Sequence, residues 1–243
     1  MIEASMASAG TVNALGQAVG LPVSEWREAA WPPKTDLRGK FCRLEPLQAE
    51  RHGPGLFASM GADAEGRNWT YLSYGPFAAY ADFSDWLAEQ QRQRDPHFYA
   101  IVEAVSGEAL GVAAYLRIDP KMGCIEVGHL NFSPLLQRRP AATEAMYLLM
   151  RQAFALGYRR YEWKCDALNQ PSQRAALRLG FRFEGLFRQV MVYKGRNRDT
   201  AWFSVLDHEW PALRQGFENW LSADNFDAAG GQRRTLEQWR GED

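Results

Sequence analysis

A helix that begins on a proline, directly after two arginines, could bind a phosphate group. Residues 136–145 read LQRRPAATEA, and no Ser, Thr, Asp or Asn stands before Pro140 to cap the helix. Proline is favoured at the first helical position, so the amides that follow it point outward at the positive end of the helix dipole. These amides belong to Ala141, Ala142 and Thr143. Arg138 and Arg139 add guanidinium groups suited to a pyrophosphate, although an uncapped helix with solvated arginines is the structural alternative.

Strand patterns flank this helix. Apolar and polar residues alternate over 125–134, the helix carries an apolar stripe at spacings of three and four from Ala142 to Leu156, and a second strand pattern covers 158–165. A strand, a helix and a parallel strand form a βαβ unit, whose ligands bind at the carboxyl ends of the strands. A further helix is expected from Ser172 to Leu179, before Gly180.

Other segments predict a mixed α/β fold with antiparallel hairpins. The paired strands are expected at residues 97–105 with 109–119 and at 183–193 with 201–206, and helices at 83–94 and from Trp210. Residues 1–39, with several glycines and Pro32-Pro33, look like an amino-terminal appendage. The body is expected to span residues 40–210, followed by a helical extension over 211–243.

Several classes of function lack support in the sequence. The histidines and cysteines show no metal-ligand spacing, and no GxSxG motif is present, so we expect neither a metal site nor a serine hydrolase. With 28 basic and 29 acidic residues, the net charge of −1 offers no general attraction for nucleic acid. No apolar run approaches the roughly 18 residues of a membrane span, and no signal peptide is apparent. We therefore expect a cytoplasmic protein that binds neither nucleic acid nor membrane.

Three ordered motifs resemble the GNAT acyltransferase family, and within it the branch around the RimJ and RimL ribosomal-protein N-acetyltransferases. They are QRRPAATEA (137–145), Asn169 and Ser172 ahead of RLGFRFEG (178–185), and RDTAWFSVL (198–206). The resemblance covers about residues 39–210. It implies a GNAT-type fold, with a mostly antiparallel sheet that contains one splayed parallel strand pair. One departure is Pro140, which replaces the family's usual glycine and removes an amide donor.

The resemblance also implies acetyl-CoA, or another acyl-CoA, as cofactor. The pantetheine arm would lie between strands 125–133 and 159–165, and the pyrophosphate at the helix start described above. The implied cofactor-binding residues are Leu130, Phe132, Gln137, Arg138, Arg139, Ala141, Ala142, Thr143, Asn169 and Ser172. Asn169 also reads as an ordinary turn residue.

The chemistry implied by the resemblance is direct attack of an amine on the thioester, without a protein nucleophile. Glu126 would remove the proton of the amine, the Leu130 amide would stabilise the oxyanion, and Ser172 would protonate the thiolate. Two structural alternatives stay open: Glu126 as a cross-strand ion-pair partner and Ser172 as a helix cap. The tyrosine that many family members place about seven residues after Asn169 is missing, which favours the Rim branch.

The acceptor is expected to be an amine, either a peptide N-terminus or a small molecule. An α-amine with a pKa near 8 loses its proton more readily than a lysine amine near 10.4. The expected substrate-binding residues are Trp69, Tyr71, Tyr74, His129 and Arg198. Core packing is the alternative for the aromatic residues, solvation for Arg198, and structural hydrogen bonding for His129. A catalytically silent acyl-CoA sensor or interaction protein, and a homodimer, also stay open.

Overall fold

The computed structural model describes residues 10–228 and 230–241. A small hairpin of β1 (Gly10–Val12) and β2 (Ala18–Gly20) precedes a mixed sheet. The eight strands of that sheet are β3 (Leu37–Arg38), β4 (Cys42–Pro46), β5 (His97–Glu103), β6 (Ala109–Asp119), β7 (Cys124–Phe132), β8 (Arg160–Asp166), β9 (Arg182–Tyr193) and β10 (Arg196–Leu206). Their order is β3-β4-β5-β6-β7-β8-β10-β9, and only β7 and β8 pair in parallel within the part of the chain described. The predicted mixed α/β class is confirmed.

Helices cover both faces of the sheet. They are α1 (Ala49–Met60), α2 (Tyr80–Arg92), α3 (Pro140–Ala155), α4 (Gln170–Arg178), α5 (Trp210–Trp220) and α6 (Leu236–Trp239). The stripe of α3 packs with α5 in the core on one face, while α1 and α2 enclose a second core on the other. Two boundaries differ from expectation. Helix α4 begins two residues before Ser172, and β10 already runs at Arg196, where a turn was expected.

Buried Glu144 on α3 fixes this helix to the start of β4. Its carboxylate accepts hydrogen bonds from the amides of Lys40, Phe41 and Cys42, at 2.7, 2.6 and 2.8 Å. A Cβ atom at Gly39 would lie 2.3 Å from the carboxyl carbon of Glu144, so this close approach requires glycine. The position of α3 over the sheet therefore depends on a polar contact as well as on its apolar stripe.

Segments near both ends of the described chain pack on the body. In the amino-terminal part, the Ala29 and Ala30 amides donate to the carbonyls of Pro120 and Leu156, at 3.1 and 2.8 Å. At the carboxyl end, the side chain of Leu236 on α6 is fully buried in the main core. Within the described residues, no helix combines the length and hydropathy that a membrane span requires.

Candidate active site

A cleft opens where β7 and β8 separate. Their parallel register runs from Cys124↔Arg160 to Val127↔Trp163 and extends no further. On its other side, β7 pairs with β6 through a bulge, so that His129 and Leu130 have no register partner on β6. Beyond Val127, the β7 backbone therefore borders the cleft on the side of β8, while Gly128, Asn131 and Phe132 still pair with β6 on the other side.

The cleft brings together most of the predicted catalytic and acceptor-binding residues. Those that line it are Tyr71, Tyr74, Glu126, His129, Leu130, Asn169, Ser172 and Arg198. Polar residues that the sequence did not single out also line it, among them Arg117, Lys164, Asp166 and Tyr193.

Glu126 is buried in the cleft wall and bears two ion pairs. Its Oε2 atom lies 2.7 Å from Nη1 of Arg117 and 2.8 Å from Nζ of Lys164. The side chain of Lys164 is 7% exposed, and it also pairs with Glu162 and lies over the ring of Trp202. Burial raises the pKa of Glu126, and the nearby cations offset this only in part. The predicted ion-pair role is therefore observed, and it leaves the carboxyl group facing the cleft.

His129 faces the cleft from the bulge of β7, with a backbone φ of 51° in the left-handed region. Its Nδ1 atom lies 3.1 Å from the hydroxyl of Tyr74, and the two rings are stacked at 5.7 Å. Burial lowers the pKa of His129 to about 4. Its imidazole is therefore neutral at physiological pH, and it contributes hydrogen bonding rather than charge to the cleft.

The helix cap that the sequence analysis considered for Ser172 is provided by Asn169 instead. The Asn169 side chain caps α4, since its Oδ1 atom accepts the Ser172 amide at 3.2 Å. Ser172 is therefore not the cap, and its hydroxyl oxygen instead accepts a hydrogen bond from the indole nitrogen of Trp163 at 3.0 Å. Because this contact uses an oxygen lone pair, the hydroxyl hydrogen is left to be donated elsewhere. Burial raises the pKa of the neighbouring Cys165 thiol, with Ser172 acting in the opposite direction.

The start of α3 matches its prediction in part. Pro140 occupies the first turn and Arg139 precedes it without a side-chain cap. Arg138 has a φ of 61° and is exposed, with no ion pair among the described residues. One expectation is corrected, because the Ala142 amide donates to the Arg139 carbonyl at 3.1 Å and is not free for a phosphate. The Arg139 guanidinium pairs through Nη1 with Glu103 at 2.9 Å.

The remaining predicted cofactor residues are held by the protein itself. The side-chain Nε2 of Gln137 donates to the Phe132 carbonyl at 2.8 Å, and so fixes the loop before α3 to the end of β7. The Thr143 hydroxyl accepts a hydrogen bond from Arg178 at 3.0 Å, and Ala141 is buried. These side chains shape the start of α3, so any contact that they make with a cofactor would come from the backbone.

Of the three aromatic residues expected to bind substrate, Tyr71 and Tyr74 line the cleft, whereas Trp69 lies in the core. Trp69 is 6% exposed and packs edge-on against Tyr74 and Phe77, so the expectation that it lines the cleft is corrected. The Tyr71 hydroxyl donates to the Leu168 carbonyl at 3.1 Å. Lys194 donates to the Trp69 carbonyl at 2.8 Å, so the segment between α1 and α2 is fixed to the β9–β10 hairpin across the cleft.

The comparison with known families agrees with this arrangement. Residues 42–182 match the family described as "Acetyltransferase (GNAT) domain". The protein belongs to the GNAT acetyltransferase family. It is therefore an enzyme of the N-acyltransferase type, as predicted, and the GNAT-type fold is confirmed.

Solved structures and one curated relative give the same family. A GCN5-related N-acetyltransferase from Brucella melitensis is 50% identical, with a TM-score of 0.88, and the match covers 90% of this chain and all of that one. A probable GNAT acetyltransferase from Chromobacterium violaceum is 46% identical, with a TM-score of 0.75, over 79% of this chain and 96% of that one. The "Uncharacterized N-acetyltransferase p20" of Bacillus licheniformis is 26% identical over 144 residues, which are 58% of this chain and 80% of that protein.

The predicted RimJ/RimL branch has only distant support. A structure of RimL, described as a ribosomal L7/L12 alpha-N-protein acetyltransferase, is 18% identical with a TM-score of 0.61, which shows the fold alone. The branch assignment of this GNAT acetyltransferase therefore rests on its sequence motifs.

The polar contacts of this GNAT site were only partly accessible to sequence reasoning. Arg117, Lys164 and Asp166 come from β6 and β8, and only the register of these strands with β7 and β10 brings them to the cleft. No local motif marks them. The sequence of β8 also gives no signal for Lys164 alone, because it is one of four charged residues that alternate with Tyr161, Trp163 and Cys165 along this strand.

Proposed function

We propose that this protein transfers an acetyl group from acetyl-CoA to a primary amine, by direct attack of the amine in a ternary complex. The acceptor is a peptide N-terminus or a small-molecule amine. The observation that carries the proposal is the separation of β7 and β8 after Val127, which brings Glu126, the Leu130 backbone and Ser172 to one cleft. GNAT family membership supports the use of acetyl-CoA.

The cofactor would lie between the separated strands, with its diphosphate at the start of α3. The uncapped helix start suits a negatively charged group, as does the exposed Arg138 guanidinium, which forms no ion pair with any described residue. The backbone of Leu130, without a register partner, could bind the amide groups of the pantetheine arm. The bound cofactor supplies the acetyl thioester.

Glu126 is proposed as the base. Its raised pKa makes it a better proton acceptor than an exposed carboxylate, and its ion pairs with Arg117 and Lys164 fix its position. An α-amine needs less help to lose its proton than a lysine amine, so a single buried carboxylate suits the former. Ser172 is proposed to donate its hydroxyl hydrogen to the departing sulfur, while Trp163 holds its oxygen.

The same ion pairs favour one alternative. Two cations on the Glu126 carboxylate reduce its tendency to accept a proton, which would suit a protein that binds acyl-CoA without turning it over. A silent binding protein would bind acetyl-CoA without releasing coenzyme A thiol.

The test is release of coenzyme A thiol from acetyl-CoA in the presence of a panel of peptides and small amines. We expect amine-dependent thiol release by the wild type, lost in Glu126→Gln and Ser172→Ala and retained in Ser106→Ala, a control on the exposed turn between β5 and β6. Binding of acetyl-CoA without thiol release across the panel would contradict the proposal and favour the silent binding protein.

A further inference from the structure

One cation of the cleft has no anionic partner. Arg198 on β10 is half-buried and lines the cleft, and its Nε atom donates to the hydroxyl of Thr200 at 3.0 Å. Its guanidinium carbon also lies 5.9 Å from the centre of the Tyr193 ring. Across residues 10–228 and 230–241, no carboxylate lies within ion-pair distance of Arg198. Partial burial of an unpaired cation is unfavourable, unless a ligand supplies the missing charge.

The carboxylates that share the cleft are engaged elsewhere. Glu126 pairs with Arg117 and Lys164, as described above. The two Asp166 oxygens accept hydrogen bonds from the Tyr193 hydroxyl and the Leu168 amide, each at 2.8 Å. Neither of these two carboxylates binds Arg198, so the Nη atoms of its guanidinium group can bind an anionic ligand.

Arg198 lies next to a bulge in the β9–β10 hairpin. The register shifts between Arg198↔Met191 and Thr200↔Phe187, with Asp199 between them. The Asp199 carboxylate accepts hydrogen bonds from the Gln189 amide and the Asn197 side chain, at 2.8 and 3.0 Å. Bulges commonly re-aim a side chain next to an active site. The Asp199 carboxylate therefore fixes β9 to β10 at this bulge, one residue after Arg198.

We propose that the acceptor amine carries an anionic group, a carboxylate or a phosphate, and that Arg198 binds it. A guanidinium presents paired donors that match either group. Residues 134–143, which include the proposed diphosphate site, are not among those that line this cleft, whereas Tyr71, Tyr74 and His129 are. Arg198 therefore faces the acceptor rather than the diphosphate. This inference rests on the acetyl transfer proposed above and specifies its substrate class.

Matched pairs of amines test it in the thiol-release assay. The pairs are an amino acid and its amide, a peptide amide beginning with Glu and one beginning with Gln, and phosphoethanolamine and ethanolamine. They separate a backbone carboxylate, a side-chain carboxylate and a phosphate as the source of the charge. We expect the wild type to prefer the anionic member of at least one pair by roughly 10- to 100-fold in kcat/KM, as expected for a hydrogen bond to a charged group.

Variants assign this preference to Arg198. Arg198→Ala should abolish it by raising KM for the anionic amine, with little change for the neutral one, and Arg198→Lys should restore it in part. The control is Arg188→Ala, an exposed arginine of the same hairpin outside the cleft. Equal use of both members of every pair, or equal losses for both in Arg198→Ala, would overturn the inference and leave acetyl transfer standing. Absence of turnover with every amine would overturn the proposed function, and the inference with it.

Discussion

The indole nitrogen of Trp163 lies 3.0 Å from the hydroxyl oxygen of Ser172, at the last residue of β8 that pairs with β7. This contact joins the end of the parallel strand pair to the first turn of α4. It also leaves the Ser172 hydroxyl free of a capping role, because Asn169 caps that helix. The serine is therefore held at the mouth of the strand separation, between the indole of Trp163 and the thiol of Cys165.

Replacement of Ser172 by alanine should lower kcat with little change in thermal stability. Loss of a general acid reduces the rate by roughly 10²- to 10⁴-fold, and α4 keeps its Asn169 cap. The measurement is steady-state thiol release together with a melting curve. Trp163→Phe is the companion variant, since it removes the indole donor and keeps the serine. It should reduce kcat by a smaller factor, and a Ser172→Ala enzyme with wild-type kcat would rule out the proposed role of the serine.

Glu126→Gln should remove the acid limb of the pH–rate profile. A base must be deprotonated to act, so wild-type kcat/KM should rise with pH through the pKa of Glu126, which is raised above its usual 4.5. The variant should lose roughly 10²- to 10⁴-fold in kcat/KM and show no such limb.

Glu162→Gln is the matched control for this change. Glu162 shares Lys164 with Glu126 at 2.7 Å, but it is not among the residues that line the cleft. Its substitution should disturb the ion-pair network and leave the acid limb in place. If both variants lose the limb equally, the network rather than Glu126 sets the pH dependence.

Pro140→Ala should strengthen binding of coenzyme A. The substitution restores an amide at the first position of α3, and a hydrogen bond to a charged group is worth about 1.5 to 3 kcal/mol, so Kd should fall by roughly 10-fold or more. Titration calorimetry measures this change. Pro211→Ala makes the same substitution at the start of α5 and should leave Kd unchanged. An unaltered or larger Kd in Pro140→Ala would show that the diphosphate does not use this amide.

Acidification should destabilise the fold through buried His97 and half-buried His129. Burial lowers the pKa of both His97 and His129 from 6.5 to about 4. Between these values the unfolded chain binds protons that the folded chain does not, so the free energy of unfolding falls as pH drops from 6.5 towards 4. The loss should be about 3 kcal/mol for each histidine at most.

Urea denaturation at pH 7, 6 and 5 measures this slope. The slope should be smaller in His97→Gln and in His129→Gln. His208→Gln, at an exposed histidine, is the control and should keep the wild-type slope. If His97→Gln and His129→Gln both keep the wild-type dependence of the free energy of unfolding on pH, other groups cause the acid sensitivity.

Periodicity was sufficient to predict most of the fold. The apolar stripe of α3 specifies which face of that helix is buried, the alternation marks β7 and β8 as strands, and the βαβ unit follows from their order. The short strand β3 and the β1–β2 hairpin were missed, because two or three residues carry no measurable period. Helix α4 was predicted to start late, since Asn169 and Ser172 are both acceptable caps and only the geometry distinguishes them.

The site was predictable where one segment supplies it. Glu126, His129 and Leu130 lie on one strand, and the pattern of that strand placed them together. Their partners come from separate elements. The pairs of Arg117 and Lys164 with Glu126, and of Glu103 with Arg139, depend on strand register and loop path, which composition and spacing do not specify. Trp69 shows the same limit, since an aromatic residue suits a cleft or a core equally well.

Titration calorimetry of coenzyme A into the wild-type protein and Arg138→Ala is the decisive measurement for a cofactor site at the start of α3. We expect binding at a single site per chain, weakened by roughly 10-fold or more in the variant, because the exposed guanidinium beside the start of α3 contacts the diphosphate. Absence of a binding heat in the wild type, with either coenzyme A or acetyl-CoA, would contradict it.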